Sequence, residues 1–179
     1  KKYAGIIYNR YRQNGFSDNQ ARAMVAEHGR ENDFNPNTMF GTHYDASNKK
    51  SNLGIMSWQG GRDTGLINFM RNRGIWDGKG KMPRTQAALE AQVDYAVFEM
   101  KTGGAYGRTR REFLNNPNIS QADAGVVLGD NFIRWDRSGK AVLGKNVTKH
   151  LAKRDNYYNI VGGNGGGSNG SQLAQARER

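Results

Sequence analysis

Residues 17–36 read SDNQARAMVAEHGRENDFNP, and the fold turns on this stretch. Ser17 followed three residues later by Gln20 is a capping-box pattern, so a helix starts here. The spacing predicts that helix over residues 18–31, with Ala21, Met24, Val25 and His28 on one face. Asn35-Pro36-Asn37 cannot continue it. Glu31 lies seven residues from Met24, six from Val25 and three from His28, which places it on the apolar face. It also falls in the last turn, where the negative end of the helix dipole disfavours a carboxylate. A partly apolar surround acts the same way, and a carboxyl group so placed suits a general acid. Glu27 shares the face one turn earlier but sits deeper in the helix. By position alone a helix-end glutamate is more often a solvated one.

Outward from this helix the pattern is mostly helical. Residues 3–12 place Ile6, Ile7 and Tyr11 at helical spacing and stop at Asn14-Gly15. Residues 35–53 form a polar, turn-rich loop holding Tyr44 and Asp45, and a loop of that length is usually functional or mobile. The apolar run LGIMSW at 53–58 suggests a short strand, closed by Gly60-Gly61. A third helix is expected over 62–73, then a glycine-rich loop over 76–83. Thr85 caps a fourth, with Leu89, Val93, Ala96 and Met100 on one stripe, ending at Gly103-Gly104. Further helices are expected over 108–114, 120–134 and 140–160, with Ser120 and Asp123 giving another capping signal. GGNGGGSNGS at 162–171 is a flexible linker, and 172–179 begins a following segment. The expected architecture is a mainly α, α+β domain over 1–161, with a small β/loop region lining a cleft.

Composition narrows the chemistry. The 179 residues carry 27 Lys and Arg against 16 Asp and Glu, a net charge of +11 that draws the chain toward polyanions. Basic residues are spread along the chain and do not cluster on one helix, which disfavours a nucleic-acid module. There is no cysteine, and His28, His43 and His150 lack zinc-ligand spacing, so neither metal nor cofactor is called for. No GxSxG, P-loop or dinucleotide fingerprint is present; GGAYG at 103–107 reads as a helix stop and a turn. No apolar run approaches the roughly 18–20 residues of a membrane span.

Four segments, in order, carry a family likeness. QARAM at 20–24 followed by GRENDFNP at 29–36 resembles the catalytic helix of phage tail lysozymes, which ends in Glu-Ser-x-Phe-x-Pro. GIMSWQGGR at 54–62 resembles the family's Gly-Ile-x-Gln-Trp-x-Gly-x-Arg, and QVDYAVFE at 92–99 its Gln-x-Asp-Tyr-x-x-x-Glu. FIRWDR at 132–137 is similar to its late aromatic-acid-Arg element. The likeness spans roughly residues 15–137. Two positions depart: Ser57 stands at the motif glutamine, and Asn32 at the serine after the glutamate.

The resemblance implies a muramidase that cleaves peptidoglycan between N-acetylmuramic acid and N-acetylglucosamine, with Glu31 as the acid. Glycoside hydrolysis usually needs a second carboxylate. Asp45 is the candidate, because goose-type lysozymes, which the arrangement also resembles, carry an aspartate in the corresponding loop. Asp63 is a weaker rival. Without a second carboxylate the same acid would serve a lytic transglycosylase. Trp58 and Tyr44 would offer flat platforms to sugar rings, while Asn52, Ser57 and Gln59 would hydrogen-bond acetamido or hydroxyl groups. Arg62 would pair with a cleft carboxylate or with a stem carboxylate of the substrate. The family places such a protein in a phage virion tail, acting in the host periplasm and cell wall, with other tail proteins bound beyond the linker. A lysozyme fold that has lost activity and serves a structural role in the virion is a further alternative, kept open by Ser57.

Overall fold

The computed structural model of the chain describes residues 2–45, 50–133 and 153–162. Two helices, α1 (Lys2–Gln13) and α2 (Asp18–Asn32), open it. The capping box forms as expected: Ser17 accepts from the Gln20 N–H, and the Gln20 side chain accepts from the Ser17 N–H. The same Gln20 amide donates to the carbonyls of Phe113 and Leu114, so one residue both caps α2 and ties it to a distant turn. The helix ends at Asp33 in the left-handed region.

Residues 35–53 fold more than their polarity suggests. Asn35 caps a one-turn helix, α3 (Pro36–Met39), and the chain then forms a two-stranded hairpin. Its strands β1 (Thr42–Asp45) and β2 (Lys50–Leu53) pair antiparallel, Thr42 opposite Leu53 and Asp45 opposite Lys50. The strand expected over 53–58 is not formed. Only Leu53 belongs to β2, and residues 54–57 are a tight turn in which Leu53 and Trp58 exchange backbone hydrogen bonds of 2.9 and 2.8 Å. The reason is close approach. Gly54 has φ +74°, and a Cβ there would stand 2.4 Å from Oε1 of Gln92.

Helix α4 (Arg62–Asn72) follows, and then α5 (Gln86–Thr102), capped by Thr85 through the Ala88 N–H. α5 is the axis of the molecule. Leu89, Val93, Ala96 and Met100 are fully buried on it, and its buried surface extends well round the helix. Helices α1 and α4 pack on α5, with Ile7, Tyr11, Leu66 and Met70 in the shared core, and α2 packs on α1. Beyond α5 come a short 3-10 turn (Gly104–Tyr106) and α6 (Gly107–Thr109), which widens into a π-helical turn (Arg110–Leu114). Ser120 caps α7 (Gln121–Leu128), which also runs on into a π-helical turn (Gly129–Ile133).

The expected helix over 140–160 falls largely outside the described residues, as do Arg134 to Arg137, His150, and the linker and terminal segment from 163 onward. Residues 153–158 are helical and press on the end of α2. Tyr157 lies so close to Gly29 that a Cβ there would meet its ring at 2.4 Å, and its hydroxyl donates to Asp33. Arg22 stacks on the ring of Tyr158 and donates to its carbonyl. Among the described residues no helix is long and apolar enough to cross a membrane.

Candidate active site

Glu31 occupies the last turn of α2 with its side chain one-fifth exposed. One oxygen accepts from Arg30 at 3.1 Å and the other from the Ser57 hydroxyl at 3.3 Å. Ser57 reaches it because the 54–57 turn folds back against the helix. Ser57 itself has φ +52°, a conformation that costs a serine about 1 kcal/mol and persists only where its surroundings impose it. One of the two residues that depart from the family motif is therefore in contact with the candidate acid.

The surroundings that impose the turn come from two helices. Gln92 on α5 accepts from the Ile55 N–H at 2.9 Å and donates to the Met39 carbonyl. The Ile55 carbonyl accepts from Asn32 Nδ2 at 3.1 Å and lies 3.0 Å from His28 Nδ1. A carbonyl can only accept, so Nδ1 of His28 carries the proton and Nε2 accepts from the Tyr11 hydroxyl. Burial lowers the His28 pKa to about 4, despite the Ile55 hydrogen bond, so the ring is neutral near pH 7. Asn32 completes the join. Its Oδ1 accepts from the Phe34 N–H, holding Asp33 and Phe34 at φ +52° and +55° where the chain leaves the helix.

Glu27 lies one turn back, sealed in the interior at 1% exposure. Arg30 bonds its Oε2 at 3.0 Å and Glu31 at 3.1 Å, so one guanidinium bridges two carboxylates. Burial pushes the Glu27 carboxyl up, against the opposing pull of Arg30 and Arg154. No solvent reaches Glu27, whereas Glu31 faces out.

The other expected site residues divide. Trp58 is fully buried, packs edge-on against Tyr95, and donates through its indole to Glu99 at 2.7 Å. It offers no face to a sugar, so the expected platform is instead a core residue. Arg62 does pair with a carboxylate, that of Glu99, through two bonds of 2.9 Å. Asn52 is buried in the hairpin with Nδ2 3.4 Å from His43 Nε2, and its Oδ1 has no hydrogen-bond partner. Gln59 is half-buried. Tyr44 and Asp45 lie on β1, opposite Ser51 and Lys50, and their side chains fall outside those described. Asp63 accepts from the Gly61 N–H and sits in the first turn of α4. Among the described residues no three His, Asp or Glu side chains gather as a metal site would require.

Sequence reasoning did not single out Arg30, and it quoted Gln92 and Glu99 without giving either a task. The Glu27-x-x-Arg30-Glu31 spacing was the available signal for the first, since residues three apart on a helix are neighbours.

A family model described as phage tail lysozyme matches residues 2–159. The chain belongs to the phage tail lysozyme family. No curated protein and no solved structure matches it. Membership makes this a lysozyme-like, phage-associated enzyme of the cell wall, with peptidoglycan as its substrate class. The motifs shared with the family can now be given physical tasks. In QVDYAVFE, Gln92 fixes the turn at Ile55, Asp94 receives Arg10, Asn14 and Arg73, and Glu99 receives Trp58 and Arg62. Burial opposes the charge of Asp94, but those three donors outweigh it and hold its carboxyl below the usual range. These residues are framework. Glu31, by contrast, is partly open to solvent.

Proposed function

We propose that the chain is a muramidase in which Glu31 protonates the glycosidic oxygen between N-acetylmuramic acid and N-acetylglucosamine. The observation that carries this is the state of the Glu31 carboxyl, which is partly exposed at the end of a buried helix and held by one donor on each oxygen. A general acid must present its proton in a fixed direction to an oxygen about 3 Å away. Arg30 and Ser57 set that direction, and Arg30 also stabilises the carboxylate left after transfer. Both are positioning residues.

Asp45 is proposed as the second carboxylate, activating water or steadying the oxocarbenium-like charge. Its place at the end of β1, in the segment between Glu31 and Ser57, supports that role. Tyr44 on the same strand is proposed as the sugar platform, with Asn52 and Gln59 as polar contacts along the hairpin and turn. The net charge of +11 favours retention on an anionic wall. We further place the domain, residues 1–161, in the virion tail, acting on the host periplasmic wall during infection and joined by the 162–171 linker to tail partners.

The test is digestion of purified peptidoglycan by the wild-type chain, Glu31→Gln and Asp45→Asn, with products identified by mass. Reducing-end muropeptides that vanish in Glu31→Gln are the expected result. Anhydro-muropeptides would assign a transglycosylase in which Asp45 is dispensable. A Glu31→Gln chain as active as wild type would remove Glu31 from the mechanism, and a wild type without products would point to a structural role.

A further inference from the structure

Three cavities of the described surface hold paired cations, and they differ in what those cations meet. In a cavity of about 520 Å³ on α7, Arg108 is bound by Glu112 and Asp130, and Asp123 also lines the wall. In one of about 410 Å³ between α1 and α5, Arg10 and Arg73 both bind Asp94. The third, of about 270 Å³, lies under the hairpin between α3 and the 76–84 loop. Its walls include Asn37, Thr42, Trp76, Met82, Lys81 and Arg84, and none of the described residues lining it is acidic. Among the described residues Lys81 meets no carboxylate, and Arg84 donates only to the Asn37 amide oxygen at 2.8 Å. Trp76 is half-buried with its indole N–H held by the Lys79 carbonyl, which leaves the ring as an apolar wall.

Two uncompensated cations at a concave, partly apolar pocket attract an anion, because a recess concentrates the field that open surface disperses. The pocket is also close to the candidate acid along the chain. Asn37 follows Glu31 by six residues, and Leu53, another wall residue, begins the turn that brings Ser57 to Glu31. We propose that this pocket is a subsite for the carboxylate-bearing peptide stem of the peptidoglycan strand, with Lys81 and Arg84 binding stem carboxylates and Trp76 covering the adjoining aliphatic or sugar surface. The assignment rests on the muramidase reading for its substrate class, and it adds recognition of the peptide to cleavage of the glycan.

The test titrates two soluble probes into the full chain by calorimetry: a disaccharide–peptide with free stem carboxylates, and the same disaccharide with its peptide removed. Wild type binds the first more tightly, and about 0.5 M salt erases the preference. Lys81→Ala/Arg84→Ala, at two exposed positions, weakens the peptide-bearing probe roughly tenfold and leaves the stripped probe unchanged. Trp76→Ala weakens it as well, with the unfolding midpoint measured alongside to separate binding from folding. Equal wild-type affinity for both probes, or a double variant that binds like wild type, overturns the subsite. Cleavage of intact peptidoglycan is the separate control: a wild type that keeps the stem preference but cleaves nothing overturns the muramidase reading and leaves the subsite standing.

Discussion

Glu99 and Glu31 are both glutamates near helix ends, each bound by an arginine, and they have opposite fates. Glu99 on α5 accepts from Trp58 at 2.7 Å and from Arg62 twice at 2.9 Å, with 8% of its side chain exposed. Glu31 on α2 has one donor on each oxygen at 3.1 and 3.3 Å, with 20% exposed. A carboxylate with its lone pairs occupied and its surface covered is a structural joint. One with spare lone pairs and a way out to solvent is free to exchange a proton with a ligand. The two share charge and partner type, so the difference lies in saturation.

That contrast is open to attack at both ends. Glu31→Gln is expected to lower the rate on purified peptidoglycan about a thousandfold, the size of a lost general acid, with the denaturation midpoint unchanged. A matching loss of stability would make Glu31 a second joint. Glu99→Ala strands the buried Trp58 N–H and the guanidinium of Arg62; it is expected to cost roughly 3 kcal/mol in urea unfolding, a figure at the low end because Arg62 is a quarter exposed. Activity per folded molecule should fall far less than in Glu31→Gln.

The frame behind Ser57 has its own signature in pH. His28 is held near 4 when folded against an ordinary 6.5, so the unfolded chain binds the extra proton between those values. Its contribution is complete above about pH 6.5 and is lost as pH falls toward 4, roughly 3 kcal/mol in all. His28→Gln should flatten the stability profile in that window, measured by denaturant midpoints at half-unit steps. The smallest effect belongs to Ser57→Gly. Relief of the positive φ should stabilise the chain by about 0.5–1 kcal/mol, while loss of the hydroxyl lowers kcat/KM about threefold. Ser57→Ala keeps the strain and loses only the second.

Much of this was legible along the chain, for reasons that are local. The capping box at Ser17 and Gln20, the Thr85 cap and the apolar stripe of α5 depend on residues within a few positions, and they formed as expected. The hairpin was not legible. Its strands carry HYD and KSN where alternating apolar residues would announce a sheet, and the turn that follows it is held from outside at Ile55 by Gln92 and Asn32. The run at 53–58 suggested a strand because it is apolar, but those side chains are buried by a turn. Trp58 was misjudged for the same reason, since its partner Glu99 lies 41 residues away. Arg30 was not singled out, although two carboxylates on its own helix make its burial tolerable.

The shared acceptor at Ile55 has a consequence for motion. Its carbonyl takes Asn32 and His28 from α2, while its N–H is held by α5. The turn therefore cannot open alone: releasing it breaks the end of α2 and exposes the polar groups of His28, Asn32 and Gln92 together. In deuterated solvent, the amides of Leu53, Ile55 and Trp58 should exchange at the slow rate of α5 and not at the rate of a surface loop. The segment that holds Ser57 against Glu31 thus opens only with the core, so the candidate acid keeps its orientation for as long as the protein stays folded.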